Sequence, residues 1–366
     1  MGRAILVSAV AAALTLAVTG AAPAGSAGGG ILERFAPQSS RTWWAVVQSE
    51  IGVKTWVMRT TDGGREWQAV TPPVVLVSSS AFSGTDAAWI KADALQPAKT
   101  EPVYRTLDGG RSWRRLARVA SDCRLDFVDL RHGWCVGIDA AAGSEAVKIY
   151  RTQDGGSTWK PVSRTGVGDQ GSTPGALPFG CDKTVGFSSA RVGWAALYCN
   201  FGEPSLYAST DGGARWHKLP AVPVPEGAPS PRAGGGISLP TARGPRLAVS
   251  LQLDGTTHVA TVIATSTNGG RSWHSRLLHG YWSADLLDQR HWRLIDGNTL
   301  RSTDDAGGHW RSRPAVTGTP ERADFLTPKI GFLVPDSRGT PLRWTRDDGA
   351  TWKPVTITAG PVTVGG

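Results

Sequence analysis

The stretch RTLDGGRSW, Arg105 to Trp113, is one of several near-copies, and the reading of the chain turns on how many there are. RTTDGGREW (Arg59 to Trp67), RTQDGGSTW (Arg151 to Trp159), ASTDGGARW (Ala208 to Trp216) and TSTNGGRSW (Thr265 to Trp273) repeat it. Written as Ser/Thr-x-Asp-x-Gly-x-x-Trp, the pattern fits seven times. Its anchors are Thr60, Asp62, Gly64, Trp67; Thr106, Asp108, Gly110, Trp113; Thr152, Asp154, Gly156, Trp159; and Ser209, Asp211, Gly213, Trp216. They continue through Ser266, Asn268, Gly270, Trp273; Thr303, Asp305, Gly307, Trp310; and Thr345, Asp347, Gly349, Trp352. The seven tryptophans lie 46, 46, 57, 57, 37 and 42 residues apart, the period of one four-stranded propeller blade. The expected fold is all-β: a seven-bladed β-propeller of four-stranded antiparallel blades, with one box in each turn from third to fourth strand.

A catalytic aspartate is needed once, whereas a packing device is needed in every blade. Each box stands between short alternating runs, such as VKIYRTQ (Val147 to Gln153) and TWKPVSR (Thr158 to Arg164), so it reads as a hairpin turn. Its glycines can take positive φ, and its aspartate can accept bonds from turn amides that the ladder leaves unpaired. The tryptophan leads into the outer strand and is placed to bury its ring between blades. A looser repeat upstream pairs aromatics seven apart, Phe82 with Trp89, Phe127 with Trp134, Phe187 with Trp194 and Phe325 with Phe332. It reads as the first hairpin of each blade, with both aromatics in the core. Cys123 and Cys135 bracket one such hairpin and Cys181 and Cys199 another, so hairpin geometry selects those two disulfides out of three connectivities.

The start of the chain reads as a signal peptide over residues 1–27: Met1-Gly2-Arg3, an apolar run from Ala4 to Val18, then small residues with Ala-x-Ala-like sites. The remainder, 28–366, reads as a single propeller with blades near 31–75, 76–118, 119–166, 167–221, 222–279, 280–316 and 317–360. No other stretch holds 18 consecutive apolar residues, so a secreted or cell-envelope location without a membrane span is expected. The net charge of +9 is spread along the chain and favours anionic partners, protein or glycan, in a salt-screened way. No nucleic-acid-reading motif and no metal-ligand spacing is present, so neither nucleic acid nor a cofactor or metal is expected, and a monomer is. Asp304-Asp305 and Asp347-Asp348 look like paired carboxylates, but each pair reads as a box aspartate beside a turn residue.

With these boxes the chain resembles proteins with BNR or Asp-box repeats, found in sialidases, large glycoside hydrolases and sortilin-type receptors. The longer unit DFVDLRHGWCVGIDAAAGSEAVKIYRTQDGGSTWKPV, Asp126 to Val162, resembles a blade of the photosystem II assembly factor family of seven-bladed propellers. The resemblance covers about Ile31 to Thr358 and speaks to fold, not to function. A sialidase, as the resemblance implies, needs three arginines on a carboxylate, a tyrosine nucleophile with a glutamate, an acid/base aspartate and an early Phe-Arg-Ile-Pro motif. Here Arg34-Phe35-Ala36-Pro37 has the order reversed, and Tyr104, Tyr150 and Tyr207 lie in strands leading to a box. Tyr198 and Glu203 are close in sequence.

The reading that follows is an exported, non-enzymatic binding or scaffolding module, with a sialidase-like glycoside hydrolase as the alternative. Three arginines meeting a Tyr/Glu pair at the mouth of the channel would favour the alternative. Connectivity places the boxes on one face and the variable loops on the other, where rigid scaffolds carry function. The longest, Ser163 to Gly180 and Ala221 to Gly235, flank blade four with the insertion Asn200 to Ser205. Arg164, Asp169, Glu203 and Arg232 are therefore the candidate ligand contacts.

Overall fold

A computed structural model describes residues 30–49, 51–93, 98–141, 144–199, 202–230, 235–255, 258–280, 282–315, 322–335 and 341–358. The segment read as a signal peptide and Arg232 lie outside these residues. Seven antiparallel sheets span 30–69, 77–120, 123–164, 182–218, 235–279, 283–314 and 322–354. In each, strands follow one another in chain order from inner to outer edge. The fold is the seven-bladed propeller that the repeat count requires. Blade five departs from the rule in one way: its inner edge is split into Gly235–Ile237 and Thr241–Arg243.

The seven box turns share one bonding pattern. The Ser/Thr hydroxyl donates to Oδ1 of the residue two places on, at 2.7 to 3.0 Å, and accepts the amide of the box glycine, at 2.8 to 3.1 Å. Asn268 keeps the Oδ1 role, and its Nδ2 donates to Ser272, where Asp108 accepts from Ser112. Each box turn also donates a backbone N–H to the first turn of its own blade, as from Gly155 to the Arg131 carbonyl at 2.9 Å. Both turns therefore lie on one face, called here the box face. At Gly155, with φ 70°, a Cβ would lie 2.6 Å from the Leu130 carbonyl, so glycine is required there.

Seven buried clusters fill the seven inter-blade seams, and each contains the box tryptophan of the later blade. The paired hairpin aromatics of blades two, three, four and seven are shared across these seams, whereas in blade one Phe35 also meets Trp43 edge-on at 6.0 Å. Phe82 pairs with Ala88 while Ala81 pairs with Trp89, so alternation turns the two rings to opposite faces. Trp44 stacks on Phe82 of the next blade at 5.3 Å, Trp89 on Phe127 at 3.9 Å and Trp134 on Phe187 at 3.8 Å. Arg59, Arg105 and Arg151, which precede the boxes, reach the following blade and donate to carbonyls of Thr85, Gly155 and Ala190.

In blade six Arg293 occupies the stacking position. Fully buried, it lies 5.6 Å from the Phe325 ring and donates to the carbonyls of Trp292, Thr303 and Pro328. Its Nη2 meets Asp304 at 3.0 Å, and its Nε approaches Asp348 at 2.7 Å as an ion pair outside hydrogen-bonding angles. Asp304 and Asp348 also hold Arg311, at 2.7 and 3.0 Å. The non-box member of each aspartate pair, Asp304 and Asp348, thus fixes the seam between blades six and seven, a role the reading as plain turn residues missed.

Both disulfides form as read, Cys123 with Cys135 and Cys181 with Cys199, at Cα separations of 5.2 and 4.4 Å. Cys123 stands opposite Gly137, and Cys135 opposite Leu125, so the first bond crosses the hairpin diagonally.

Candidate functional site

Strand register assembles a charged site that no local motif announces. On the second strands, Val46, Val136 and Val334 stand two residues beyond the seam aromatics Trp44, Trp134 and Phe332. Their inner-strand partners are Arg34, Arg124 and Arg322. Three arginines therefore occupy one level of the innermost strands, in blades one, three and seven. One pleat nearer the box face, the partners of Trp134, Arg293 and Phe332 are Asp126, Asp285 and Asp324. The central channel carries an arginine level toward the inter-blade-loop face and an aspartate level toward the box face.

The levels are electrostatically coupled across the ring. Arg34 senses Asp126, Arg322 and Arg124 together, although blades one and three are not neighbours. Removal from bulk water is the main effect lowering its pKa; Asp126 opposes it and the two arginines add to it. Asp126 accepts the Phe187 amide at 3.0 Å, and burial raises its pKa against that bond and Arg34. Asp285 accepts the Phe325 amide; burial pushes its pKa up to about 7, with Asp324 adding and that amide and Arg293 opposing. Arg322 pairs with Asp324 at 3.1 Å. Among the described residues, Arg34 and Arg124 have no ion-pair partner. Two unmatched guanidinium forks beside a matched one suit an oxyanion, since each fork can donate two parallel bonds to a carboxylate or phosphate.

The tyrosines stand apart from this level. Tyr104, Tyr150 and Tyr207 are on third strands, paired with Ile90, Cys135 and Ala195, two strands from the channel. Tyr207 is shifted upward by burial, away from a nucleophile's need. The Tyr198 hydroxyl accepts the Gly235 amide at 3.4 Å, and Tyr281 lies outside the described residues.

The sector around blade four is more firmly built than a run of Gly, Pro and Ser suggests. Its loop buries Leu177 and ties Thr165 Oγ1 to the Leu177 carbonyl at 2.6 Å. Arg164 closes a double exchange with Thr173, and the Trp216 amide donates to the Gly175 carbonyl. Asp169 falls in a short 3-10 turn, Val167–Asp169. Glu203 borders a hollow of about 470 Å³ with Phe179, Tyr207 and Lys218. Arg164 and Glu203 are both exposed. The arginine level of the channel was not among the residues singled out from sequence. In the sequence Arg34 stands out only for its reversed order with Phe35.

No family model matches the chain, and no curated protein matches it in sequence. Solved structures do. The propeller described as YCF48 bound to D1 peptide matches with 16% identity over 90% of this chain and 94% of that one, at a TM-score of 0.53. The β-propeller domain of the Trilobed protease from Pyrococcus furiosus, described as having an open velcro topology, matches at 11% identity, 91% and 99% coverage and a TM-score of 0.50. A GH74 xyloglucanase from Xanthomonas campestris matches at 14% identity over 92% of this chain and 68% of that one, with a TM-score of 0.39. The first two likenesses support the architecture and leave the chemistry to the site.

Proposed function

We propose that the chain is an exported, non-enzymatic binding module that holds an anionic protein ligand at the cell surface or outside the cell. The ligand meets the inter-blade-loop face and inserts an acidic group into the channel mouth. The observation that carries this reading is the arginine level, where Arg34 and Arg124 have no carboxylate of their own. A propeller of similar architecture has been solved with a peptide bound, which supports a polypeptide as the ligand class. Arg164, Asp169, Glu203 and Arg232 form the proposed rim of the same face.

The test is cross-linking of the mature chain in the envelope fraction of the secreting cell, comparing wild type with the R34Q/R124Q pair. Loss of the cross-linked partner from a variant with an unchanged melting temperature is expected. Capture that survives the double substitution would overturn the reading. The arginine level also gives the sialidase-like alternative its one specific footing. Turnover of a fluorogenic sialoside by wild type and not by R34Q would establish that alternative.

A further inference from the structure

The ring-closing seam between blades seven and one carries a second charged surface, on the box face and opposite the arginine level. In blades one, two and three the residue before the box is an arginine consumed by the next blade, as Arg59 is by the Thr85 carbonyl and by Asp86 at 2.6 Å. In blade seven that position holds Trp344, which packs edge-on against Trp43 at 5.4 Å. The gap an arginine would cross stays open as two adjoining hollows of about 720 and 580 Å³.

Arg41, Lys329 and Arg346 line the first hollow, and Arg65, Arg346 and Lys353 the second, with Arg346 shared. Those five cations are exposed, and none has an ion-pair partner among the described residues. The one lining carboxylate, Asp62, is already engaged by Thr60 and by the amides of Arg65 and Glu66. Between the cations lie apolar surfaces, Pro328 and Ile330 in one hollow and Trp344, Pro354 and Val355 in the other. Arg346 is held 4.5 Å over the Trp344 ring. The walls are preformed: Gly63 donates to the Arg41 carbonyl, Asp348 to that of Lys329 and Val355 to that of Leu342. At Gly64 a Cβ would strike the Trp43 ring at 2.5 Å, so the groove floor depends on glycine.

We infer that this seam groove is a docking site for an extended acidic segment of a partner polypeptide, one that alternates carboxylate and apolar side chains. Charge complementarity fixes the sign of the ligand, and the apolar surfaces between the cations fix its class. A polyuronate would supply carboxylates and leave those surfaces uncovered. Arginine is suited to the shared position because its fork can grip a carboxylate while its plane stays stacked on the tryptophan. The inference is independent of the channel reading, since it concerns the opposite face.

Fluorescence anisotropy on the full mature chain tests it. The probes are a short fluorescein-labelled peptide alternating glutamate with valine, its glutamine counterpart, and a labelled oligogalacturonate. The glutamate peptide should bind, weaken as sodium chloride rises from about 50 to about 200 mM, and lose affinity by about tenfold or more in R41E/R346E. The milder R41Q/R346Q should show the same direction with an unchanged melting temperature. The binding that R41Q/R346Q removes should persist in R34Q/R124Q, whatever that pair removes at the channel, which separates failure of this site from failure of the channel reading. Equal binding of the glutamine peptide, tighter binding of the oligogalacturonate, or full affinity in both seam variants would each overturn the proposal.

Discussion

Asp285 shows how far one residue's chemistry can depart from its sequence context. In the chain it is an unremarkable aspartate before Leu286; in the ring it is half-buried, holds the Phe325 amide and senses Asp324. Its folded pKa of about 7 lies above the ordinary 3.8, so the folded state keeps a proton that the unfolded chain has released. Its contribution therefore favours the fold at low pH and declines as pH rises from about 4 to about 7, by at most ~1.4 kcal/mol per pH unit. Asp285→Asn keeps an acceptor for the Phe325 amide and removes the titration. The variant should lose less stability than wild type across that window and melt higher at pH 8. Parallel melting curves from pH 4 to 8 would contradict this. The box aspartates act with opposite sign: bonds from Thr351 and Thr345 hold Asp347 down at about 2, so its contribution is lost only in strong acid. Their role was legible because it is local and repeated. The roles of Asp285 and Arg34 were not, because they depend on side chains brought in from other blades.

At the scale of elements, the hairpin and box repeats announced every blade, and the cysteines bracketing two of the hairpins announced both disulfides. What the repeats could not give was the direction of each ring, since seven-residue spacing fixes two aromatics on a hairpin without saying which seam each enters. The loop Ser163 to Gly180, singled out from sequence for its length alone, is in part a plug in the structure. Leu177 is 1% exposed and packs with Trp134, Ile149 and Trp216 in the seam between blades three and four. Leu177→Ala should therefore destabilise the fold by about 2–5 kcal/mol, read as a lower denaturant midpoint. A shift typical of exposed loops, within about 0.5 kcal/mol, would show the loop to be dispensable. Removing the whole loop is accordingly a poor probe of binding, because it also removes a core residue. Point changes at Arg164 are the cleaner test of that rim.

For the whole molecule, the decisive question is how the ring closes. Blades one and seven are each built from four strands contiguous in sequence, so among the described residues no strand is exchanged between the two blades. Closure rests on side chains alone: Phe332 lies 5.0 Å from Phe35 and 5.0 Å from Trp43, in a cluster with Val47, Met58 and Leu342. Every other seam joins blades that are consecutive in the chain and cannot drift far apart when their contacts weaken. The closing seam has no such tether, and opening it frees the chain ends with a gain in conformational entropy. Phe332→Ala should therefore do more than cost about 3–5 kcal/mol of packing. Amide exchange should accelerate most in Trp43–Ser49 and Gly331–Val334, while the central strands of blades three and four stay protected. Trp134→Ala, which empties a tethered seam, should raise exchange without that polarity. Uniform acceleration around the ring in Phe332→Ala would mean that the propeller opens as one unit and that its closing seam is no weaker than the rest.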